Sequence, residues 1–194
     1  MKFLRLFSGE AYKGTRHYLK TQRVYEILRT ILFFAISLAL FAGGYLATHT
    51  RMNLLTIVAI LGLLPASKSL VSVIMFCRYG GLSDADAEII EPHLGSLTNL
   101  CDMVFTSNDK NYEVDHLTIK GNTVCGYSKN GYFQEQAFYK HLDERLKADG
   151  HKNVSAKIFT DLRKYVDRLD QMQELACDES GTAGIADTLK SISL

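Results

Sequence analysis

Two long apolar runs stand out against an otherwise mixed chain. "ILFFAISLALFAGGYLA" spans Ile31 to Ala47, a second run extends from Leu54 to Phe76, and only "THTRMN" separates them. A bilayer core of about 30 Å takes about 20 helical residues, so the runs predict two membrane-crossing helices in a tight hairpin, residues 30–78. The first run starts too late for a signal peptide, and no convincing cleavage site follows it. After Gly80–Gly81 the pattern becomes that of a soluble domain. "LSDADAEIIEPH" predicts a helix capped by Ser83, restarting after Pro92 through "HLGSLTNL". Strand-like stretches cover Asp102–Thr106, Tyr112–Lys120 and Thr123–Tyr127, the last two joined by a tight turn at Gly121–Asn122. Phe133, Ala137, Phe138, Leu142 and Leu146 then share a helical face that Gly150 ends. A short strand at 154–159 follows. Asp161 caps a helix that keeps Leu162, Tyr165, Val166, Leu169 and Met172 in register. The order α-βββ-α-β-α describes a small α+β domain over residues 82–176. The polar tail, 177–194, is expected to be loose or peripheral.

Charge adds an orientation. The net charge of +1 says nothing about partners, but its distribution does. Lys2, Arg5, Lys13, Arg16, Lys20, Arg23 and Arg29 precede the hairpin, whereas its loop carries only Arg51. The positive-inside rule then places both termini in the cytoplasm of a multi-pass protein of the plasma (inner) membrane, with lipids as partners. "MKFLRLF" alternates basic and large apolar residues, so residues 1–29 read as an interfacial segment. Cys77, Cys101, Cys125 and Cys177 are dispersed, with no CxxC pair and no histidine at metal spacing. They read as reduced thiols, with no metal site and no cofactor expected.

Within the hairpin, Lys68 falls about one turn, or about 5 Å, inside the inner edge of the second helix. Its ammonium can snorkel to the headgroups beside Arg29 and Arg78, as an anchor or as a lipid-phosphate site. Pro65 frees the Leu61 carbonyl, and a kink relieved by Ser67 and Ser69 is expected. Small residues form two stripes: Ala35, Ala39, Gly43 and Ala47 on the first helix, and Ala59, Gly62, Ala66 and Ser69 on the second. Such stripes let helix backbones approach closely, within one hairpin or between copies.

Catalytic signals are sparse. There is no GxGxxG, no P-loop and no nucleophile elbow. The element order, with "EVDHL" followed by "CGYSKN", resembles the PD-(D/E)XK nuclease core, most of all its nuclease-related domain. That resemblance implies Asp115 as a metal-binding acid, Lys129 as the lysine and Glu88 or Glu91 on the first helix. It departs from the pattern at Tyr127, where a second acid belongs, and two-metal chemistry needs clustered carboxylates. "RMNLLTIVAILGLLPASKSL" and "HLTIKGNTVCG" resemble an uncharacterised family of small two-helix bacterial membrane proteins. Its members are sometimes labelled O-linked GlcNAc transferase-like, but no nucleotide-sugar loop or helical repeat array supports that label here. Tyr127, Tyr132, Phe133, Phe138 and Tyr139 beside Lys129 and Lys140 suit core packing better than base stacking, and nucleic acid is not an expected partner.

These readings combine into a membrane-anchored, oligomerising, non-enzymatic protein whose cytoplasmic domain binds an unknown protein partner or its own copies. The alternatives are a membrane-tethered, degenerate PD-(D/E)XK-type metal-dependent nuclease, and a lipid-binding or transport role centred on Lys68.

Overall fold

The computed structural model describes residues 12–50, 53–107, 110–175 and 181–194. They form two compact units. Leu19–Tyr79 makes one, and residues 12–18 join Gly80–Leu194 in the other.

The first unit is an antiparallel pair of helices, α1 (Tyr18–Thr48) and α2 (Leu54–Arg78), each long and apolar enough to cross a membrane. Large apolar side chains such as Ile31, Leu38, Leu46, Leu64 and Ile74 point outward along its length. Asn53 caps α2 by accepting from the Thr56 amide, and its own amide nitrogen donates to Thr48 Oγ1 at 2.9 Å, which ties the turn.

The helices meet along one expected stripe and one unexpected one. On α2, Ala59, Ala66 and Ser69 are buried and Gly62 is half-buried. On α1 the facing residues are Thr30, Ser37 and Gly44, seven apart and buried, while Ala35, Ala39, Gly43 and Ala47 are exposed. A Cβ on Gly44 would meet Leu55 Cβ at 2.8 Å, and one on Gly62 would meet Ser37 Oγ at 2.7 Å. At Gly43 nothing lies within 4 Å. Helix α2 continues through Pro65, and the expected relief differs in detail. Ser67 Oγ donates to the Leu63 carbonyl at 2.8 Å, not to Leu61, and Ser69 turns to α1.

The second unit is a four-stranded sheet between helices. Strands β1 (Thr98–Thr106), β2 (Asn111–Lys120), β3 (Thr123–Tyr127) and β4 (Ser155–Phe159) lie in the order β1-β2-β3-β4. The first three are antiparallel, and β4 joins β3 in parallel. One face packs Phe105, Val114, Leu117 and Ile158 against α4 (Glu135–Ala148) and α6 (Thr182–Ser191). The other packs Cys101, Cys125 and Tyr127 against α3 (Asp84–Ile90) and α5 (Leu162–Glu174). Ser83 and Asp161 cap α3 and α5 as expected. A 3-10 turn at Glu91–His93 ends the α3 region, so "HLGSLTNL" leads into β1 rather than a second helical stretch.

Two further regions differ from expectation. Residues 182–191 form α6, which buries Ile185, Ala186 and Leu189 in the core, so this part of the tail is structural. In the segment 1–29, expected to be interfacial, "MKFLRLF" lies outside the described residues, and residues 12–18 belong to the second unit: the Cys101 amide donates to the Gly14 carbonyl at 2.8 Å. Lys13 Nζ donates to the Ser193 carbonyl at 2.7 Å, and the Leu194 amide donates to Val104 at 2.8 Å. The outer edge of β1 is thereby covered from both directions. At the far edge the Ile158 amide donates to the Tyr139 hydroxyl at 2.8 Å, which occupies one outward group of β4. Unpaired strand edges invite association with other chains, and this domain blunts both.

Candidate functional site

Side chains alternate across a strand, so a core face should recur every second residue. Leu100, Met103 and Phe105 nevertheless share one core, as do Val114 and Leu117 of the partner strand. Asp102 accounts for the skipped step. It adopts φ 56°, and no ladder pair forms between Cys101↔His116 and Met103↔Val114. Four polar side chains are concentrated there: Cys101 and Asp102 on β1, Asp115 and His116 on β2, each less than 9% exposed. Short side-chain carboxylates can stabilise such a left-handed residue locally.

Each acid has a main-chain donor. Asp102 Oδ1 accepts from the Leu82 amide at 2.8 Å, and Glu113 Oε1 accepts from Gly80 and Gly81 at 2.9 and 3.1 Å. Asp115 Oδ2 accepts from the Lys129 amide at 2.7 Å. These carboxylates hold the entry segment 80–82 and the end of β3. Burial pushes the Asp115 carboxyl up to about 6, with the Lys129 amide opposing and Glu113, Asp102 and Asp86 adding to the rise. Lys129 is exposed and contributes its backbone, and Glu88 points to solvent on α3. Glu91 pairs with Arg16, on the segment before α1. Among the described residues no three His, Cys, Asp or Glu side chains converge to hold a metal. Of Glu88, Asp115 and Lys129, the last two meet through the Lys129 amide and the Asp115 carboxylate, and Glu88 is exposed on α3.

Cys101 and His116 are cross-strand partners lining a cavity of ≈ 460 Å³. Burial, then Asp102, pushes the Cys101 thiol up to about 12, and burial lowers His116 to about 4. Both are neutral near pH 7, so the pair lacks the thiolate that nucleophilic chemistry needs. His116 Nδ1 and the Tyr165 hydroxyl share a 2.7 Å hydrogen bond, with Thr118 Oγ1 3.3 Å from the same hydroxyl. The cations lining this cavity are matched: Arg16 by Asp84 and Glu91, Lys190 by Asp187, and Lys13 by carbonyl oxygens.

The aromatic residues divide between the two sheet faces. Tyr127 stacks on Tyr165 in one core, Phe133, Phe138 and Tyr139 pack in the other, and Tyr132 is 94% exposed. They form no continuous stacking surface. Cys125 is buried, Cys77 is exposed, and Cys177 lies outside the described residues.

In the hairpin, polarity concentrates on residues that, apart from Ser69, the stripe pattern does not select. Glu26 and Gln22 are 4% and 5% exposed. Arg29 pairs with Glu26, and its Nε donates to Ser69 Oγ at 3.3 Å. The Thr30 and Ser69 hydroxyls lie 2.8 Å apart, and Arg23 donates to the Phe76 and Tyr79 carbonyls at 3.1 and 2.8 Å. Arg29 is therefore drawn into the helix interface, while Lys68 and Arg78 remain exposed. Of the three expected interfacial cations, Arg29 is engaged by Glu26 and Ser69, and Lys68 and Arg78 are exposed. An i, i+4, i+8 polar series, Gln22–Glu26–Thr30, was the available sequence signal.

No family model matches the chain, and comparisons with curated proteins and with solved structures also give no match. Neither family resemblance gains support beyond its own residues.

Proposed function

We propose that this is a membrane-anchored protein that self-associates through its apolar hairpin and uses its α+β domain to bind protein, without catalysing a reaction. The observation that carries the reading is the division of the two small-residue stripes. The α2 stripe is consumed inside the hairpin, whereas Ala35, Ala39, Gly43 and Ala47 stay on the outside, with open space at Gly43. In lipid, close backbone approach along such a face drives association that hydrophobicity alone does not. Inner-membrane placement, with the termini and the domain in the cytoplasm, belongs to the same proposal. The exposed Tyr132, Ile89 and Leu175 offer the domain apolar contacts for a partner.

Cysteine trapping in native membranes tests self-association. Gly43→Cys is expected to give a disulfide-linked dimer on non-reducing gels, and Gly43→Leu to abolish chemical crosslinking of the otherwise unaltered chain. Crosslinked oligomers that persist in Gly43→Leu would reject this face as the interface.

A further inference from the structure

A groove of ≈ 520 Å³ lies between β4 and α5 of the soluble unit. Its lining includes Thr123 and Cys125 of β3, Lys157 of β4, and Lys164 and Arg168 of α5. Lys164 and Arg168 are four residues apart, so both project from one side of their helix. Lys157 faces them from the strand. Among the described residues none of these three cations joins an ion pair. Lys157 Nζ sits 5.1 Å from the Phe159 ring, and Arg168 Nη1 donates to Gln171 Oε1 at 3.1 Å. Asp167 is the carboxylate in the lining, leaving an excess of two positive charges. Cys125 supplies no counter-charge: burial raises its thiol pKa, outweighing the lowering by Arg168 and Lys157. The cavity beside Cys101 differs, because its cations already have partners.

We propose that this groove binds a phosphate group, carried by a soluble phosphorylated ligand or by a lipid headgroup. A guanidinium fork beside two ammonium groups suits a tetrahedral dianion, and the Thr123 and Ser155 hydroxyls add neutral donors to the lining. A carboxylate would match only half of the excess charge.

The test uses the full chain in phosphatidylcholine nanodiscs, titrated calorimetrically with inorganic phosphate. Saturable binding is expected, weakened about tenfold in Lys164→Gln and in Arg168→Gln, while Lys152→Gln, outside the groove, leaves it unchanged. Lys164 is exposed, so its variant reports on the groove even where Arg168→Gln impairs folding. Arg168→Lys, which keeps the charge without the fork, is expected to bind with intermediate affinity. Repeating the titration in discs containing phosphatidic acid separates the two sources: suppressed phosphate binding assigns the headgroup, and undiminished binding assigns the soluble ligand. Absence of saturable binding in phosphatidylcholine discs, or wild-type affinity in Lys164→Gln, would overturn the proposal.

Discussion

Asp115 and His116 are adjacent, buried and displaced in opposite directions, so their effects on stability oppose each other. The folded Asp115 carboxyl sits near 6 against an ordinary 3.8 and binds its proton more tightly than the unfolded chain does. Its contribution is present at low pH and is lost as pH rises from about 4 to about 6. The folded His116 imidazole sits near 4 against an ordinary 6.5, so its contribution is present above 6.5 and is lost as pH falls toward 4. The wild-type stability profile is expected to be nearly flat across this window. Asp115→Asn keeps an acceptor for the Lys129 amide and unmasks the histidine, giving stability that rises with pH by up to about 1.4 kcal/mol per unit. His116→Gln should show the reverse slope. Denaturant midpoints between pH 4 and 7 measure both, and parallel profiles for the two variants would contradict this assignment. Neither effect is visible in the string "VDHL", because a one-residue change of pleat at Asp102 determines which neighbours share a face.

At the scale of elements, regular periodicity was easy to read and local exceptions were not. Strand β3 and the caps at Ser83 and Asp161 match their sequence signals, since turn and cap chemistry acts within a few residues. Helix α6 leaves little sequence signal, because Ile185 and Leu189 are its main apolar anchors among small and polar residues. Leu189→Ala is nevertheless expected to cost about 2–5 kcal/mol, measured by thermal or denaturant unfolding, as for other fully buried leucines. In α1, wholly apolar surroundings leave no contrast to mark which face packs within the hairpin: Gly44 is buried there, whereas the Gly43 stripe is exposed. Disulfide trapping checks this packing. Ser37 Cβ lies 3.7 Å from a Cβ built on Gly62, within disulfide reach. Ser37→Cys with Gly62→Cys should therefore close within one chain, without dimer formation. Ser69→Ala is expected to weaken the hairpin by about 0.6 kcal/mol, the average for a polar contact between membrane helices.

For the whole molecule, the proposed orientation in a bilayer has a simple readout. Thr50→Cys, in the exposed hairpin turn, and Lys152→Cys, exposed on the domain, suit an impermeant maleimide applied to intact cells. Thr50→Cys is expected to label at once, and Lys152→Cys only after permeabilisation. Labelling of both positions from outside would reverse the proposed topology. The native Cys101 and Cys125 are too buried to report on sidedness. The clasp on β1 has a consequence for biogenesis. The second unit draws its edge cover from residues before the hairpin and from residues 193–194, so its chain is split by the entire apolar insert. As a ribosome emits this protein, residues 12–18 emerge long before β1 exists, and under the proposed membrane placement the helices would insert while the domain is still being synthesised. On that proposal insertion precedes closure of the domain, and a nascent chain halted before α6 would lack the Leu194 part of the β1 cover.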